Sequence, residues 1–223
     1  MKTIAIIAQK GGAGKTTVAV NLAVAAEVAG IKTALFDLDA QESATVWADR
    51  RETESPHVEF LTERRLPEAI KAADQQGFGL CIIDTPPAAG PQALTAAELA
   101  DLVLIPCRPS LVDLDAIRRT AQLVKSASVP AYVLFNAAPH GATTLLDDAR
   151  AIVADTTGLS VAPAILRERS AFRAAWPLGK AVLETEPRSK AAEEVSQLQN
   201  WVFAQVQVCT PDDVQKRRVA AHG

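Results

Sequence analysis

The chain has 223 residues, of which 48 % are hydrophobic and 22 % are charged, and its formal net charge is −3. This composition excludes a disordered chain and is sufficient for a hydrophobic core of ordinary size. The small negative charge predicts no general attraction to nucleic acid, so any DNA binding must come from a local basic surface.

Short apolar runs alternate with longer helical patterns along the chain. This alternation predicts an α/β fold in three layers, in which a mostly parallel, twisted sheet has helices on both faces. Each candidate strand is a continuous apolar run, which is typical of strands buried on both faces. The candidate strands are Thr3–Ala8, Thr33–Asp37, Leu80–Asp84, Leu102–Pro106 and Ala131–Asn136, with weaker candidates at Val58–Leu61 and Val161–Leu166.

Four longer segments have the residue spacing and the end signals of helices. We predict a single domain over residues 1–209, followed by a polar, flexible tail over residues 210–223. The candidate helices are Thr16–Ala29, Asp113–Lys125, Thr143–Thr156 and Lys190–Gln207, the last with Val195, Leu198, Trp201 and Val202 on one apolar stripe.

The three cysteines, Cys81, Cys107 and Cys209, are far apart and form no CxxC pair. We therefore expect no disulfide framework, zinc site or iron–sulfur cluster within the chain. No segment approaches the ~20 apolar residues of a membrane-spanning helix, and the N-terminus lacks the pattern of a signal peptide. These features predict a cytoplasmic protein.

A glycine-rich turn joins the first strand to the first helix and reads KGGAGKTT. Its glycines let backbone N–H groups converge on phosphate oxygens without an obstructing Cβ, and the start of the helix adds partial positive charge. Lys15 can reach the β- and γ-phosphates, the Thr16 hydroxyl can bind Mg²⁺, and Thr17 can contact the α-phosphate. The predicted ATP contacts are Gly11, Gly12, Ala13, Gly14, Lys15, Thr16 and Thr17.

Carboxylates follow two of the predicted strands. Asp37 and Asp39 end the segment LFDLD, and Asp84 ends LCIID. Ligands of open α/β sheets bind at the carboxyl ends of strands, and an aspartate after an apolar strand commonly holds Mg²⁺ in phosphate-loop enzymes. Thr16, Asp37 and Asp84 are therefore the predicted metal residues, with a turn-forming role as the alternative for Asp37.

The turn departs from the general pattern GxxxxGK[ST], because Gln9 replaces the first glycine and an additional lysine, Lys10, follows it. This form resembles the deviant Walker A box of the ParA/MinD family of ATPases, especially its short, ParF-like members. LFDLDAQ resembles the family's switch I, with Ala40 in place of the usual proline, and IIDTPP resembles its Walker B and switch II segment. The resemblance implies a P-loop NTPase fold and Mg²⁺-dependent ATP hydrolysis.

The resemblance also implies roles for individual residues. Lys10 reaches across a nucleotide-sandwich homodimer to the partner's bound ATP, so that ATP occupancy controls dimerisation. Asp39 positions the attacking water, Asp37 supports the Mg²⁺ environment, and Asp84 holds Mg²⁺ through water. Asn136 recognises the adenine edge, with stabilisation of the following turn as the alternative. The predicted catalytic residues are Lys10, Lys15 and Asp39.

At the level of the whole protein, the resemblance implies an ATPase that partitions DNA. The ATP-bound dimer binds nucleoid DNA without sequence specificity, and a ParB-like or other small adaptor stimulates hydrolysis and releases it. A basic segment with arginine spacing suited to one face supplies the candidate contacts, with an ordinary solvated face as the alternative. These contacts are Arg167, Arg169, Arg173 and Lys180, with Arg188, Lys190 and residues 216–218 as further candidates.

Two other functions remain open. A MinD-like or cargo-positioning ATPase would act on a membrane or a protein cargo, although the tail DDVQKRRVAAHG lacks the apolar face of a stable membrane anchor. A metabolic kinase or ligase with a phosphate loop would act on a small molecule, but such enzymes do not usually carry a lysine in the place of Lys10.

Overall fold

Parallel strands form the centre of the protein in the computed structural model, which describes residues 1–87 and 90–211. Within these residues the sheet has seven strands in the order β3-β2-β4-β1-β5-β6-β7, and all neighbouring pairs are parallel. The strands are β1 Lys2–Ile6, β2 Thr33–Asp37, β3 His57–Phe60, β4 Leu80–Asp84, β5 Leu102–Cys107, β6 Ala131–Phe135 and β7 Ser160–Val161.

Helices cover both faces of this sheet, as predicted. The four predicted helices are present with ends within two residues of the predicted ones, and five shorter helices were missed because they span only four to ten residues each. The helices are α1 Lys15–Val28, α2 Ser43–Ala48, α3 Leu66–Gln75, α4 Pro91–Glu98, α5 Leu111–Ser126, α6 Thr143–Thr157, α7 Ser170–Ala175, α8 Val182–Thr185 and α9 Lys190–Val206.

The strands contribute side chains to two hydrophobic cores, one on each side of the sheet. Ile4 and Ile6 of β1 pack with α1, α2 and α9, whereas Ala5 and Ile7 pack with α3, α4, α5 and α6. Successive side chains of a strand point to opposite faces, so a strand between two helical layers must be apolar at every position. This explains the continuous apolar runs in the sequence.

The last predicted strand is shorter than expected. The prediction was Val161–Leu166, but the structure assigns only Ser160–Val161 to β7. Pro163 has no backbone N–H and cannot donate to the ladder, so regular pairing stops there. Backbone contact with β6 continues irregularly, because Ala162 and Leu166 still donate to the carbonyls of Val133 and Phe135.

The carboxyl ends of β1, β2 and β4 meet at one edge of the sheet. In the strand register, Asp84 lies opposite both Ile6 and Asp37. The loops that follow these strands therefore form one surface. Across residues 1–87 and 90–211, no helix combines the length and the apolar character needed to cross a membrane. The predicted tail lies outside the described residues from position 212 onward, and the single-domain boundary stays a prediction.

Candidate functional site

The segment Lys10–Thr17, here called the phosphate loop, crosses above the end of β1 and leads directly into α1. Gly12 and Gly14 adopt φ angles of +74° and +88°. These left-handed conformations are strained for residues with a Cβ and readily adopted by glycine. Gly14 is the N-cap of α1, and its carbonyl accepts a hydrogen bond of 2.9 Å from the Val18 N–H. The helix therefore begins at the loop, with its N-terminal N–H groups facing a potential anion site.

Lys15, the first residue of α1, is buried between carboxylates. Its side chain is only slightly exposed, and burial lowers the pKa of its ammonium group, while the negative charges of Asp84 and Asp39 raise it. A buried ammonium group needs negative charge nearby to remain favourable. The structure thus brings together three of the predicted site residues at one point.

Asp84 ends β4 and is completely buried beneath the phosphate loop. Neither of its carboxylate oxygens has a donor at the distance and angle of a hydrogen bond. Burial raises the pKa of Asp84 to about 7, against the lowering effects of the Thr16 hydroxyl and of Lys15. An unpartnered buried carboxylate costs free energy, and Mg²⁺ with its coordinated water would supply the missing partner.

The residues near Asp84 fit a Mg²⁺ ion that is held largely by phosphate. Within the described residues, no three or more His, Cys, Asp or Glu side chains gather into a metal-binding group. Mg²⁺ is usually bound by one or two protein oxygens together with phosphates and water, rather than by a complete protein cage. Asp84 and the Thr16 hydroxyl offer that donor set.

Asp37 makes the contacts of a turn-forming residue. Its Oδ1 accepts a hydrogen bond of 3.0 Å from the Asp39 N–H, and its Oδ2 accepts from the N–H groups of Ala44 and Thr45 at 2.9 and 3.3 Å. Both oxygens are therefore occupied by backbone donors at the start of α2. These contacts support the alternative, a carboxylate that shapes the turn before α2, and support of Mg²⁺ by Asp37 stays a prediction.

Asp39 stands at the exposed side of the same turn and is half-buried. Its Oδ1 accepts from the Gln41 N–H at 3.0 Å, and its backbone carbonyl accepts from the Glu42 N–H at 2.8 Å. The turn is therefore closed by hydrogen bonds although Ala40 stands where a proline is usual. Asp39 is close enough for its charge to raise the pKa of the Lys15 ammonium group.

Lys10 contacts a residue that the sequence reasoning did not include in the site. Its ammonium group lies 2.6 Å from Oδ1 of Asp113, which is a buried residue in the first turn of α5. Burial raises the pKa of Asp113, but hydrogen bonds from Lys10 and Ser110 and the charges of Lys10 and Arg108 outweigh it, so the net pKa is lowered. The pattern SLVD, a serine cap with an acidic residue three positions later, was the available signal.

Asn136 lies against the phosphate loop. The residue follows β6, and its Nδ2 donates a hydrogen bond of 2.8 Å to the backbone carbonyl of Ala13. Beside this contact a cleft of about 220 Å³ opens next to the loop. The cleft is lined by Gly12, Gly14, Thr17 and Asn136, together with residues that were not predicted for nucleotide binding, including Arg108 and Phe172.

The predicted basic face is largely neutralised by carboxylates. The Arg169 guanidinium donates to both oxygens of Glu194 at 2.6 and 3.1 Å, and its side chain is only 17 % exposed. Arg167 lies 3.7 Å from the same carboxylate. Both arginines also line the cleft beside the phosphate loop. DNA contact by these two arginines stays a prediction, and it would have to compete with their pairing to Glu194.

The remaining predicted DNA contacts are more accessible. Arg173 is 71 % exposed and forms an exposed ion pair of 3.2 Å with Glu168. Exposed pairs of this kind are weak and can exchange for a phosphate contact. Lys180 is half-buried, and its backbone carbonyl accepts a hydrogen bond from the Trp47 indole. The candidates at residues 216–218 lie outside the described residues.

The sequence matches a family model and several known proteins. Residues 4–176 match the model of the CobQ/CobB/MinD/ParA nucleotide-binding domain. Over 122 residues the chain is 38 % identical to the maintenance of carboxysome distribution protein A of Gloeobacter kilaueensis. This match covers 53 % of this chain and 55 % of that protein. Over 126 residues it is 32 % identical to Protein ParA of Rhizobium radiobacter, and this match covers 56 % of each chain.

The matched region therefore spans about half the length of these two curated relatives. The fold is also similar to a solved structure, the septum site-determining protein MinD of Pyrococcus horikoshii complexed with Mg-ADP. That similarity has a TM-score of 0.70 at 22 % identity and covers 90 % of this chain and 95 % of that chain.

Proposed function

The chain belongs to the CobQ/CobB/MinD/ParA family of nucleotide-binding domains, and on that basis we propose that it is a Mg²⁺-dependent ATPase that partitions DNA. ATP binding produces a homodimer, the dimer associates with DNA, and an adaptor protein stimulates hydrolysis and thereby releases it. The similarity to Protein ParA of Rhizobium radiobacter supports this proposal. The bound Mg-ADP of the MinD structure with the same fold supports the choice of ligand.

The observation that carries the ATPase proposal is the arrangement of Asp84 beneath the phosphate loop. A fully buried carboxylate without a hydrogen-bond partner lies at the carboxyl end of the sheet, close enough to the buried Lys15 for each to shift the pKa of the other. Such an arrangement is unfavourable by itself and becomes favourable when a divalent cation and phosphate oxygens complete it.

Each residue of the site then has a distinct task. The loop N–H groups and Lys15 bind and orient the phosphates, and Thr16 and Asp84 hold the Mg²⁺ environment. When bound, Mg²⁺ neutralises charge on the phosphate oxygens. Asp39 lies at the open side of the site, where it can orient a water molecule for attack. Phosphoryl transfer depends mainly on such positioning and charge stabilisation, so few further groups are required.

Lys10 links ATP to dimerisation in this proposal. In the single chain its ammonium group pairs with Asp113 and remains 41 % exposed on the surface beside the phosphate loop. Leu111 and Val112, at the start of the same α5, are also exposed. Few other large apolar residues in the described part of the chain are exposed. A charged group and an apolar pair beside the nucleotide are suited to a contact with a second copy.

DNA binding would then come from a surface assembled in the dimer. The exposed cationic side chains around α7 and α9 are Arg173, Arg188 and Lys190. Pairing two copies would double their number on one surface, which favours phosphate contacts even though the single chain has a net negative charge.

A second candidate function is the positioning of a protein cargo. The similarity to a maintenance of carboxysome distribution protein favours it directly. In that case ATP still controls dimerisation, and the adaptor connects the dimer to a protein assembly instead of a centromere-like DNA site. The neutralised arginines Arg167 and Arg169 are compatible with this function, because it requires no extended basic face.

One experiment tests the proposal and separates the two functions. Purified protein is applied to immobilised plasmid DNA with Mg-ATP or Mg-ADP at 0.1 M salt. At this concentration surface charges still interact over about 10 Å. Retention on DNA with Mg-ATP alone supports partition. Analytical ultracentrifugation shows whether Mg-ATP produces dimers. If dimers form but are not retained on DNA, the result favours cargo positioning over partition. Absence of ATP binding would contradict both functions.

A further inference from the structure

Asn136 is held firmly at the end of β6. Its backbone N–H donates to the Cys107 carbonyl at 2.8 Å, which continues the ladder between β5 and β6. Two residues later, the Ala138 N–H donates to the Leu166 carbonyl at 3.1 Å. Asn136 is therefore fixed on both sides in the chain, and the residue is only 8 % exposed. A side chain held in this way can position another group.

The group that the Asn136 side chain contacts is the backbone of the phosphate loop. Nδ2 donates to the Ala13 carbonyl at 2.8 Å, and this hydrogen bond is buried. A carbonyl oxygen can only accept, so the amide atom that faces it must be the NH₂ group. This bond joins β6 to the loop over 123 positions in the sequence.

Gly14 is packed tightly against the same amide. A Cβ added to Gly14 would lie 2.0 Å from Nδ2 of Asn136, and the φ angle of Gly14 is +88°. A side chain at position 14 is therefore disfavoured both by the backbone conformation and by collision with Asn136. The glycine allows the asparagine to approach the loop directly.

The contact determines which way one peptide group of the loop faces. In a trans peptide the C=O and N–H bonds point in opposite directions. When Asn136 binds the Ala13 carbonyl, the N–H of Gly14 is directed away from Asn136. The loop N–H groups must converge on phosphate oxygens, and a peptide that rotated would present a carbonyl oxygen to the phosphates instead.

We propose that Asn136 is a positioning residue that orients the Ala13–Gly14 peptide so that the Gly14 N–H can donate to a nucleotide phosphate. The proposal rests on the proposed ATP-binding function and deepens it. It differs from the sequence-based assignment of Asn136 as the residue that reads adenine, which stays a prediction, because it starts from the contact of the NH₂ group with the loop backbone. Asn136 then contributes to the binding of any triphosphate, whichever base it carries.

The test compares Asn136→Ala and Asn136→Asp with the wild-type protein and with a control variant, Asn200→Ala, whose side chain is exposed on α9. Binding of Mg-ATP and of inorganic tripolyphosphate, which has no base, is measured by competition with a fluorescent ATP analogue. Hydrogen–deuterium exchange of residues 9–17 is measured in the nucleotide-free proteins, with thermal melting to confirm folding.

We expect Asn136→Ala to weaken the binding of ATP and of tripolyphosphate by the same factor, about tenfold for one lost buried hydrogen bond. Asn136→Asp should weaken both further, because a carboxylate would face the Ala13 carbonyl and repel the phosphates. We also expect faster exchange in residues 9–17, and no change in Asn200→Ala. Weaker ATP binding with unchanged tripolyphosphate binding would overturn the proposal in favour of base recognition. Unchanged hydrogen–deuterium exchange in residues 9–17 would also overturn the proposal, and this outcome does not depend on any ligand. A wild-type protein that binds no ATP would instead contradict the proposed function.

Discussion

The Lys10 ammonium group lies 2.6 Å from the Asp113 carboxylate of the same chain, although the sequence resemblance assigns this lysine to a partner's nucleotide. Asp113 is itself held by Ser110, whose hydroxyl donates to its other oxygen and whose side chain caps α5. Lys10 must therefore leave a well-positioned carboxylate before it can reach across a dimer. This contact makes the monomer and the proposed dimer compete for the same lysine.

We predict that Asp113→Asn increases dimerisation. Neutralising the carboxylate removes the attraction that holds Lys10 on its own chain. Since a pair with one exposed partner is worth about 1 kcal/mol, the ATP concentration for half-dimerisation should fall about fivefold. Sedimentation velocity across an ATP titration measures this concentration. Asp115→Asn, an exposed aspartate in the same helix, is the control. A midpoint that is unchanged or higher would contradict the competition.

We predict that Lys10→Ala binds ATP with nearly wild-type affinity but does not dimerise with ATP. The side chain of Lys10 pairs with Asp113 and not with another residue of the phosphate loop, so its removal leaves the loop backbone intact. Calorimetry measures ATP binding and size-exclusion chromatography measures dimerisation. Lys71→Ala, which removes an exposed lysine from α3, should change neither. Normal dimers in Lys10→Ala would exclude a role for this lysine at the interface.

We predict that Lys15→Gln abolishes ATP binding and leaves the fold intact. The glutamine removes the positive charge that faces the phosphates, and a triphosphate without that charge is bound at least about a hundredfold more weakly. The variant also leaves Asp84 without its nearest positive charge. Calorimetry with Mg-ATP gives the affinity, and circular dichroism reports folding. Retained affinity would show that the nucleotide does not bind in the phosphate loop.

We predict opposite effects of Asp84→Asn on stability and on catalysis. Burial raises the pKa of Asp84 to about 7, so its charged form opposes folding despite the nearby Lys15, and the neutral amide removes this cost. The free energy of unfolding in Mg²⁺-free buffer, measured by thermal melting, should therefore rise by about 1 kcal/mol. Loss of the carboxylate should reduce Mg²⁺-dependent phosphate release at least about a hundredfold. Full hydrolysis by Asp84→Asn would contradict the Mg²⁺ role of this residue.

We predict that Arg51 stabilises the packing of the end of α2 against the segment that contains Gly179 and Glu184. Arg51 follows α2, donates to the Gly179 carbonyl at 2.7 Å and pairs with Glu184 at 2.9 Å, and it stacks 4.6 Å above the Trp47 ring. Arg51→Ala should lower the free energy of unfolding by about 2 kcal/mol, since it removes a part-buried hydrogen bond, an ion pair and the stacking on Trp47 together. Urea denaturation measures the change. The exposed neighbour variant Arg50→Ala should change stability by less than about 0.5 kcal/mol.

The sequence by itself determined the parallel sheet and the position of the phosphate loop. Both depend on local requirements: strands between two helical layers are apolar throughout, and a backbone that turns through positive φ angles needs glycine. Asp84 could be placed at a strand end for the same reason, because the end of an apolar run is visible in the sequence. These features need no knowledge of distant residues.

Only the tertiary structure decided what the polar side chains contact. Asp37 turned out to hold the start of α2, Arg169 to pair with Glu194, Lys10 with Asp113, and Asn136 with the loop carbonyl of Ala13. Most of these partners are separated by 25 to 123 positions in the chain. The order of strands in the sheet brings them together, and a charge or amide is satisfied by whichever complementary group the packing places nearest.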